Sequence, residues 1–331
     1  MYRIAVVGAT GLVGSKMLEV LARKNIPVDD LILFSSKKSA GNEIEFKGQT
    51  YVVRELTEDA AEEHFDFVLM SAGGSTSLKF SPLFEQSGAI VIDNSSAFRM
   101  DEDIDLIVPE VNSPKSNRTI IANPNCSTIQ SVVPLKPLAD RFGLERVSYT
   151  TYQAVSGSGT AGKNDLKNGE QGLPPTNYPH PIYNNVLPHI DVFQDDGYTK
   201  EEQKMIDETR KILELPELRV TATCVRVPVQ DSHSVAINVT LTTPATADDI
   251  RAVLDKAPGI VVVDDVTQNK YPMAIQSTNK DEVFVGRIRV DESMPQSFHI
   301  WCTADNLLKG AALNAVQILE QIHHTRSESH D

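Results

Sequence analysis

Residues 3–14 read RIAVVGATGLVG: a short apolar run, then glycines at Gly8, Gly11 and Gly14, then the start of an amphipathic stretch. The run at 3–7 has the length and β-branched content of a buried strand. Residues 15–23 place Met17, Leu18, Val20 and Leu21 at helical spacing. Glycines in a turn between a first strand and a first helix let the backbone approach a pyrophosphate, whose charge the helix N-terminus meets. The spacing is GxxGxxG rather than GxGxxG, so the position of the turn says more than its letters. A tight turn with no ligand is the plain alternative.

Working outward, apolar runs at 31–34, 67–70, 90–92, 106–108 and 119–122 alternate with polar or helical stretches. Strands separated by helices pair in parallel through right-handed crossovers, which predicts a Rossmann-like open α/β sheet. Beyond Cys126 the texture changes. Longer runs at 147–154, 218–227, 234–242, 260–263 and 297–303 follow with few helices between them. They predict an α+β domain with a mixed, largely antiparallel sheet. The expected division is 1–125 and 126–304, with an amphipathic helix near 305–323 packing back on the first domain. Residues 172–198 hold five prolines together with aromatic and aliphatic residues. That segment is either a disordered linker or an arm ordered over a subunit partner. The tail from 324 to 331 is expected to fray.

The net charge is −14 at pH 7, with no cluster of Lys and Arg set against it. Nucleic acid needs a basic footprint, so it is not an expected partner. Small anionic substrates stay open, because one or two buried cations set the local field. No apolar stretch approaches the roughly 18–20 residues of a membrane span, and the chain runs from Met1 into a strand with no signal peptide. The three cysteines, Cys126, Cys224 and Cys302, lie far apart without metal-binding spacing. A cytosolic protein with no metal is the reading that follows.

The second strand ends at Ser35-Ser36-Lys37-Lys38, where an NAD-selective site would carry Asp or Glu. Hydroxyls and ammonium groups suit a ribose 2′-phosphate and favour NADP; a solvated basic turn is the other reading. In ANPNCSTIQ, residues 122–130, Cys126 lies between a strand and a helix expected from Ser127. A cysteine at a helix N-terminus has its thiolate favoured by unpaired N–H groups, although an isolated cysteine is more often a buried structural one. Its polar neighbours Asn125 and Ser127 favour the nucleophile, which would attack an aldehyde carbonyl. His233 follows a proline-broken strand end and is the best-placed base. Arg226 ends an otherwise apolar strand and could clamp a carboxylate or form a structural ion pair. Glu201 and Lys204 share a face of a helix opened by Thr199, with Glu202 completing a capping box.

Taken in order, GATGLVG, DNSSAFRM (93–100), VPEVN (108–112), ANPNCSTIQ, TYQAVSGSG (151–159), EEQKM and RVPVQDSHS resemble the aspartate-semialdehyde dehydrogenase family. The resemblance runs from residue 8 through the 230s and returns in the closing helix. It implies that Cys126 carries an acyl thioester, that His233 is general acid/base and that Gln153 orients the intermediate. It implies Arg226 on the substrate α-carboxylate, Glu201 on its amino group, and Arg99 and Lys204 on phosphate, with Asn112 nearby. Gly8, Thr10, Gly11, Leu12, Val13, Ser35, Ser36, Ser156, Gly157 and Asn306 would line an NADP site. The implied reaction is reductive dephosphorylation of L-aspartyl 4-phosphate to the semialdehyde by a homodimer, supplying lysine, threonine and methionine synthesis. The nearest rival, N-acetyl-γ-glutamyl-phosphate reductase, would show a PGC-type motif where this chain has Pro124-Asn125-Cys126. Glyceraldehyde-phosphate dehydrogenase would carry the missing acid after the second strand. A silent NADP-binding regulator has no reason to keep Cys, Gln, Arg and His in this order.

Overall fold

The computed structural model describes residues 1–328, which divide into two compact units: Met1–Pro124 with the chain from Ala311 on, and Asn125–Gly310. Among the described residues no helix is long and apolar enough to cross a membrane.

The first unit runs β1 (Tyr2–Val7), α1 (Leu12–Arg23), β2 (Val28–Ser35), β3 (Glu43–Phe46), β4 (Gln49–Val52), β5 (Arg54–Glu55) and α2 (Glu58–Ala61). It continues through β6 (Phe67–Met70), α3 (Gly74–Gln86), β7 (Ile90–Asp93), β8 (Asp105–Leu106) and β9 (Ile120–Ala122). Seven strands lie in the order β5-β2-β1-β6-β7-β9-β8, and every pairing is parallel. Strands β6, β7 and β9 are buried along their whole length, which is why their residues are apolar without alternation. The C-terminal helix (Leu313–Glu328) packs on α1 and is tied to it by an ion pair of 2.8 Å between Lys24 Nζ and Glu320. Helix thus continues where fraying was expected from 324; the rest of that tail lies outside the described residues. The β3–β4 hairpin was not foreseen. Its turn is Lys47-Gly48, both at positive φ, and its charged alternating strands carry little apolar signal.

The second unit runs α4 (Cys126–Phe142), β10 (Leu144–Gln153), α5 (Gly159–Glu170), α6 (Lys200–Leu213), β11 (Arg219–Arg226) and β12 (His233–Leu241). Then come α7 (Ala247–Leu254), β13 (Ile260–Val262), α8 (Ala274–Ser277), β14 (Val283–Val290) and β15 (Ser297–Ala304). The sheet order is β11-β10-β12-β15-β14-β13, with three antiparallel pairings and two parallel ones, β10–β11 and β13–β14. Strand β14 was missed because Gly286 and a positive-φ Arg287 interrupt its alternation where the register to β15 shifts. More helices intervene than expected, and α4 lies against β10, β12, β14 and β15. Odd-numbered residues of β12 (Val235, Ile237, Val239) and even-numbered residues of β15 (Phe298, Ile300, Cys302) are buried, as the two-residue period of a strand requires.

The proline-rich segment is ordered. Asp165 of α5 accepts from the backbone N–H groups of Thr176, Asn177 and Tyr178 at 2.8–2.9 Å. Ile182 and Leu187 bury against Val155, and Leu187 bridges to Arg226 at the end of β11.

Candidate functional site

Three neighbouring strand ends assemble the polar centre of the second unit. In register, Gln153 of β10 is the partner of Arg226 of β11, and Tyr152 is the partner of Ser234 of β12. Gln153, Arg226 and His233 therefore end adjacent strands, and all three are buried. The peptide of Ala154, just beyond β10, orients two of them. Its carbonyl accepts from Arg226 Nη1 at 2.8 Å, and its N–H donates to His233 Nδ1 at 3.0 Å.

Cys126 opens α4 and is partly exposed, whereas Cys224 and Cys302 are buried. Burial pushes the Cys224 thiol well above its usual range and Cys302 up to about 12. Asn125 caps the helix: its side-chain oxygen accepts from Ser127 N at 2.9 Å and Thr128 N at 3.2 Å. Helix α6 holds that cap from the other side. Glu208 accepts from Asn125 N at 2.7 Å, and Glu201 Oε1 accepts from Asn125 Nδ2 at 2.8 Å and Gln153 Nε2 at 3.1 Å. The expected capping box is present, with Thr199 N donating to Glu202 at 2.8 Å and Glu202 N to Thr199 Oγ1 at 3.3 Å.

Burial alone would raise the Glu201 carboxyl. The Lys204 charge, the amide hydrogen bonds from Asn125 and Gln153, and the Arg226 charge outweigh it and hold Glu201 below the usual carboxylate range. Lys204 lies 3.3 Å from Glu201 and 2.7 Å from Asp191 of the ordered arm. His233 is driven well below its ordinary value, by burial first and the Arg226 charge second. Two buried donors of this cluster, Arg226 Nε and His233 Nε2, have no hydrogen-bond partner. Both side chains border Gly157, where an added Cβ would stand 2.8 Å from Arg226 Nη1 and 3.3 Å from His233 Nε2. Orphaned buried donors cost about 1–3 kcal/mol each, and a bare glycine in front of them leaves room for an acceptor.

Ser156 and Asn306 join the same unit by a hydrogen bond of 3.0 Å from Asn306 Nδ2 to Ser156 Oγ, and Asn306 also accepts from Ser232 N at 2.9 Å. Asn125, Ala154, Glu208, Asp191 and Gly310 were not assigned from sequence. Gly310 leaves no room for a side chain, since a Cβ there would meet Cys126 Cβ at 2.9 Å. Only Asn125 carried a signal, as a cap residue beside the cysteine; Asp191 and Gly310 are distant in sequence.

The remaining assigned residues belong to the first unit. Gly8 has φ +77°, and a Cβ on it would lie 2.0 Å from Ser71 O; one on Gly14 would lie 2.1 Å from Gly8 O. Gly11 is the N-cap of α1 and supplies no side-chain cap, so the first-turn N–H groups of Leu12 and Val13 are left for a ligand. This bare cradle fits a dinucleotide pyrophosphate. At its rim Thr10 Oγ1 and Ser35 Oγ are 2.9 Å apart, and Ser36, Lys37 and Lys38 are exposed. The fold also sets Glu55 of β5 opposite Ser35, a carboxylate that a reading along β2 alone does not see. Arg99 is buried, donating to Asn123 O and Asn94 O at 2.9 Å each, in a network that Asn314 extends to Asn123 at 2.7 Å. Asn112 spends its amide on its own turn, bonding Val108 N and Leu106 O at 2.9 Å.

Two family models match the chain: semialdehyde dehydrogenase, NAD binding domain, over residues 3–119, and semialdehyde dehydrogenase, dimerisation domain, over residues 135–309. The aspartate-semialdehyde dehydrogenase of Aquifex aeolicus is 49% identical over 330 residues, covering 96% of this chain and 97% of that protein. A crystal structure of aspartate semialdehyde dehydrogenase II from Vibrio cholerae, complexed with ASA, superposes with a TM-score of 0.93 at 42% identity, covering 98% of each chain. A more distant Candida albicans aspartate semialdehyde dehydrogenase, crystallised with NADP, gives 0.75 at 26% identity over 97% of this chain and 98% of that one.

Proposed function

The chain belongs to the aspartate-semialdehyde dehydrogenase family, and on that premise we propose that it reduces L-aspartyl 4-phosphate to the semialdehyde with NADPH, releasing phosphate and NADP, through a thioester on Cys126. The observation that carries this reading is that one unit holds both a partly exposed helix-start thiol and buried, unpartnered nitrogens of Arg226 and His233.

The Cys126 sulfur attacks the acyl phosphate carbonyl, forming C–S as the C–O bond to phosphate breaks. Arg226, with an unused buried donor, is suited to the α-carboxylate, and Glu201, kept ionised, to the ammonium. Gln153, fixed by Thr151 Oγ1 at 3.1 Å and by Glu201, orients the acyl group. The family resemblance assigns Arg99 in the first unit and Lys204 in the second to phosphate. When bound, the cofactor supplies the hydride that takes the thioester to the aldehyde level. The glycine cradle Gly8, Thr10, Gly11, Leu12 and Val13 would hold its pyrophosphate, Ser35 and Ser36 its ribose 2′-phosphate, and Ser156, Gly157 and Asn306 are the cofactor residues assigned in the second unit.

Support for a homodimer comes from the dimerisation-domain match and from the open face of the mixed sheet. There the Tyr152 and Trp301 rings meet at a tilt with centroids 5.4 Å apart, and Ile275, 83% exposed, follows Ala274 of a cleft of about 440 Å³. Three free thiols far apart in sequence suit a reducing cytosol. An N-acetylated glutamyl substrate fits less well, because Glu201 would face an amide rather than an ammonium.

The test is NADP reduction by aspartate semialdehyde with and without phosphate. Turnover that requires phosphate or arsenate, and that is absent with N-acetylglutamate semialdehyde, is the expected result. Turnover indifferent to the anion would overturn the proposal.

A further inference from the structure

We propose that Asp191, on the ordered proline-rich arm, is a positioning residue for the reaction: it fixes the Lys204 ammonium at the place where the substrate's phosphate is met, a role that rests on the assignment of Lys204 to phosphate above.

Lysine carries a point charge on four methylenes, and such a charge keeps one place only when something holds it. Glu201, one turn earlier on α6, is a poor holder by itself. Its Oε1 is engaged by Asn125 and Gln153 at 2.8 and 3.1 Å, and its Oε2 stands 3.3 Å from Lys204 Nζ. Asp191 supplies a second and closer hold from a different element, its Oδ2 accepting from Lys204 Nζ at 2.7 Å. Burial alone would raise the Asp191 carboxyl, but the Lys204 ammonium outweighs it and keeps the group below the usual carboxylate range. A pair this open to solvent adds little stability. What it gives Lys204 is a fixed position.

The arm in turn fixes Asp191 from both sides. Leu187 exchanges two backbone hydrogen bonds with Arg226, at 2.9 and 2.8 Å, and is buried with Val155 and Ile182. Past the turn, Lys200 N at the start of α6 donates to Val192 O at 2.9 Å. Between these clamps the His189 and Phe193 rings stack with centroids 4.2 Å apart, and Asp191 Oδ1 accepts from Val192 N at 2.9 Å. One carboxylate oxygen therefore serves the turn and the other serves Lys204. The φ of Asp191 is +65°, a backbone that glycine adopts at lower cost. A carboxylate kept in a left-handed position points to a use for its charge. Five residues of arm, 187–191, thus run from the strand end of Arg226 to the ammonium of Lys204, the proposed carboxylate and phosphate anchors.

Three accounts of Asp191 differ in sign. Two carboxylates beside one ammonium leave the locality negative, so a purely Coulombic role predicts that removing Asp191 tightens phosphate. A role confined to the turn predicts that Asp191→Gly and Asp191→Asn are harmless or stabilising, since both residues suit a positive φ. Positioning predicts weaker phosphate in a fold that persists.

Inorganic phosphate is the probe, titrated at constant ionic strength into the full-length protein, with affinity read from the rise of the thermal midpoint. Asp191→Gly should weaken phosphate about tenfold, as loss of one charge-assisted contact implies. Asp191→Asn keeps an uncharged acceptor and should weaken it less. Without phosphate, both variants should melt close to wild type. In semialdehyde oxidation the KM for phosphate should rise by the same factor, kcat at saturating phosphate should fall far less, and the KM for NADP should not move. Unchanged or tighter phosphate binding in Asp191→Gly would overturn the proposal, as would a fall in kcat equal to the rise in KM. Lys204→Met separates the two possible failures. If it loses phosphate affinity while Asp191→Gly keeps it, the role of Asp191 alone fails. If Lys204→Met binds phosphate as wild type does, the assignment of Lys204 fails and the role of Asp191 with it.

Discussion

The glycine cradle of the first unit and the polar cluster of the second are built by opposite means. In the cluster, the proposed chemistry depends on side chains that are present and consume one another. Asn125 is gripped by Glu201 and Glu208, Gln153 by Thr151 and Glu201, and Arg226 and His233 by the Ala154 peptide. In the cradle, function depends on side chains that are absent, because a Cβ at Gly8 or Gly14 would fall about 2 Å from a carbonyl oxygen. One region should therefore fail when atoms are removed and the other when atoms are added. Preorganised side chains aim donors at developing charge, whereas bare backbone gives a phosphate close approach with little selectivity of its own.

The largest effect should come from deleting the proposed nucleophile. Cys126→Ala removes one sulfur from a site whose neighbours hold one another, so the fold and the cradle persist. Turnover should fall on the order of 10⁴-fold or more, while NADP affinity, measured by fluorescence titration, should stay within about twofold. Residual phosphate-dependent turnover above that level would mean that another group carries the acyl intermediate.

The complementary break is Gly8→Ala. The substitution adds a methyl to a residue at φ +77° and drives it into the Ser71 carbonyl. Left-handed strain and overpacking together should cost about 2–5 kcal/mol, read as a fall in thermal midpoint with loss of NADP binding. Cys126 alkylation in the folded variant should be unchanged. If the cluster lost its reactivity along with cofactor binding, the two sites would not be separate constructions.

The same contrast explains what could be read along the chain. The cradle was legible at Gly8, Gly11 and Gly14 because a strand, a turn and a helix are local, and a glycine needed for φ or close approach is visible as a letter. Cys126, Arg226 and His233 were legible as residues at element ends. Their company was not, since Gln153 meets Arg226 and Glu201 meets Asn125 only once register and helix packing are set. The orienting group of the site, the Ala154 peptide, has no side-chain identity and so no sequence signal. Strand β14 and the β3–β4 hairpin were hidden because positive φ at Arg287 and charged alternation at 43–46 blur the two-residue period. Order in the proline-rich arm was legible from its aromatic and aliphatic residues, but what fixes it, the Asp165 carboxylate and its three backbone donors, was not.

A smaller test within the cluster turns on charge. Glu201→Gln keeps an acceptor for Asn125 and Gln153 but removes the carboxylate that faces Lys204 and Arg226. Losing one charge-assisted contact to the substrate ammonium, about 1.5–3 kcal/mol, should raise KM for aspartate semialdehyde roughly 10–100-fold. In the wild type the folded Glu201 carboxyl is held below its ordinary value, so its contribution is complete at neutral pH and is lost only as pH falls below the usual carboxylate range. No acid limb from Glu201 should therefore appear in kcat/KM down to about pH 5. Lys204→Met removes the largest of the opposing influences, and burial then raises the carboxyl and moves that limb upward in pH. An acid limb unmoved by Lys204→Met would show that Glu201 does not gate substrate binding.

The smallest effect should lie at the rim of the cradle, where side chains begin to matter again. Ser36, Lys37 and Lys38 are exposed, and a unit charge pair about 4 Å apart in water is worth only about 1 kcal/mol. Ser36→Asp puts a carboxylate beside the proposed 2′-phosphate position, adding to Glu55 opposite Ser35. A phosphate bearing nearly two charges should then lose about tenfold in kcat/KM for NADP, with NAD almost unchanged. The loss should shrink as salt rises, since exposed charges are screened over about 10 Å at 0.1 M. The measurement is the NADP to NAD ratio of kcat/KM at low and moderate ionic strength. A parallel loss for both cofactors would place Ser36 against the shared part of the dinucleotide, and the rim would then belong with the glycine backbone rather than with the selective side chains.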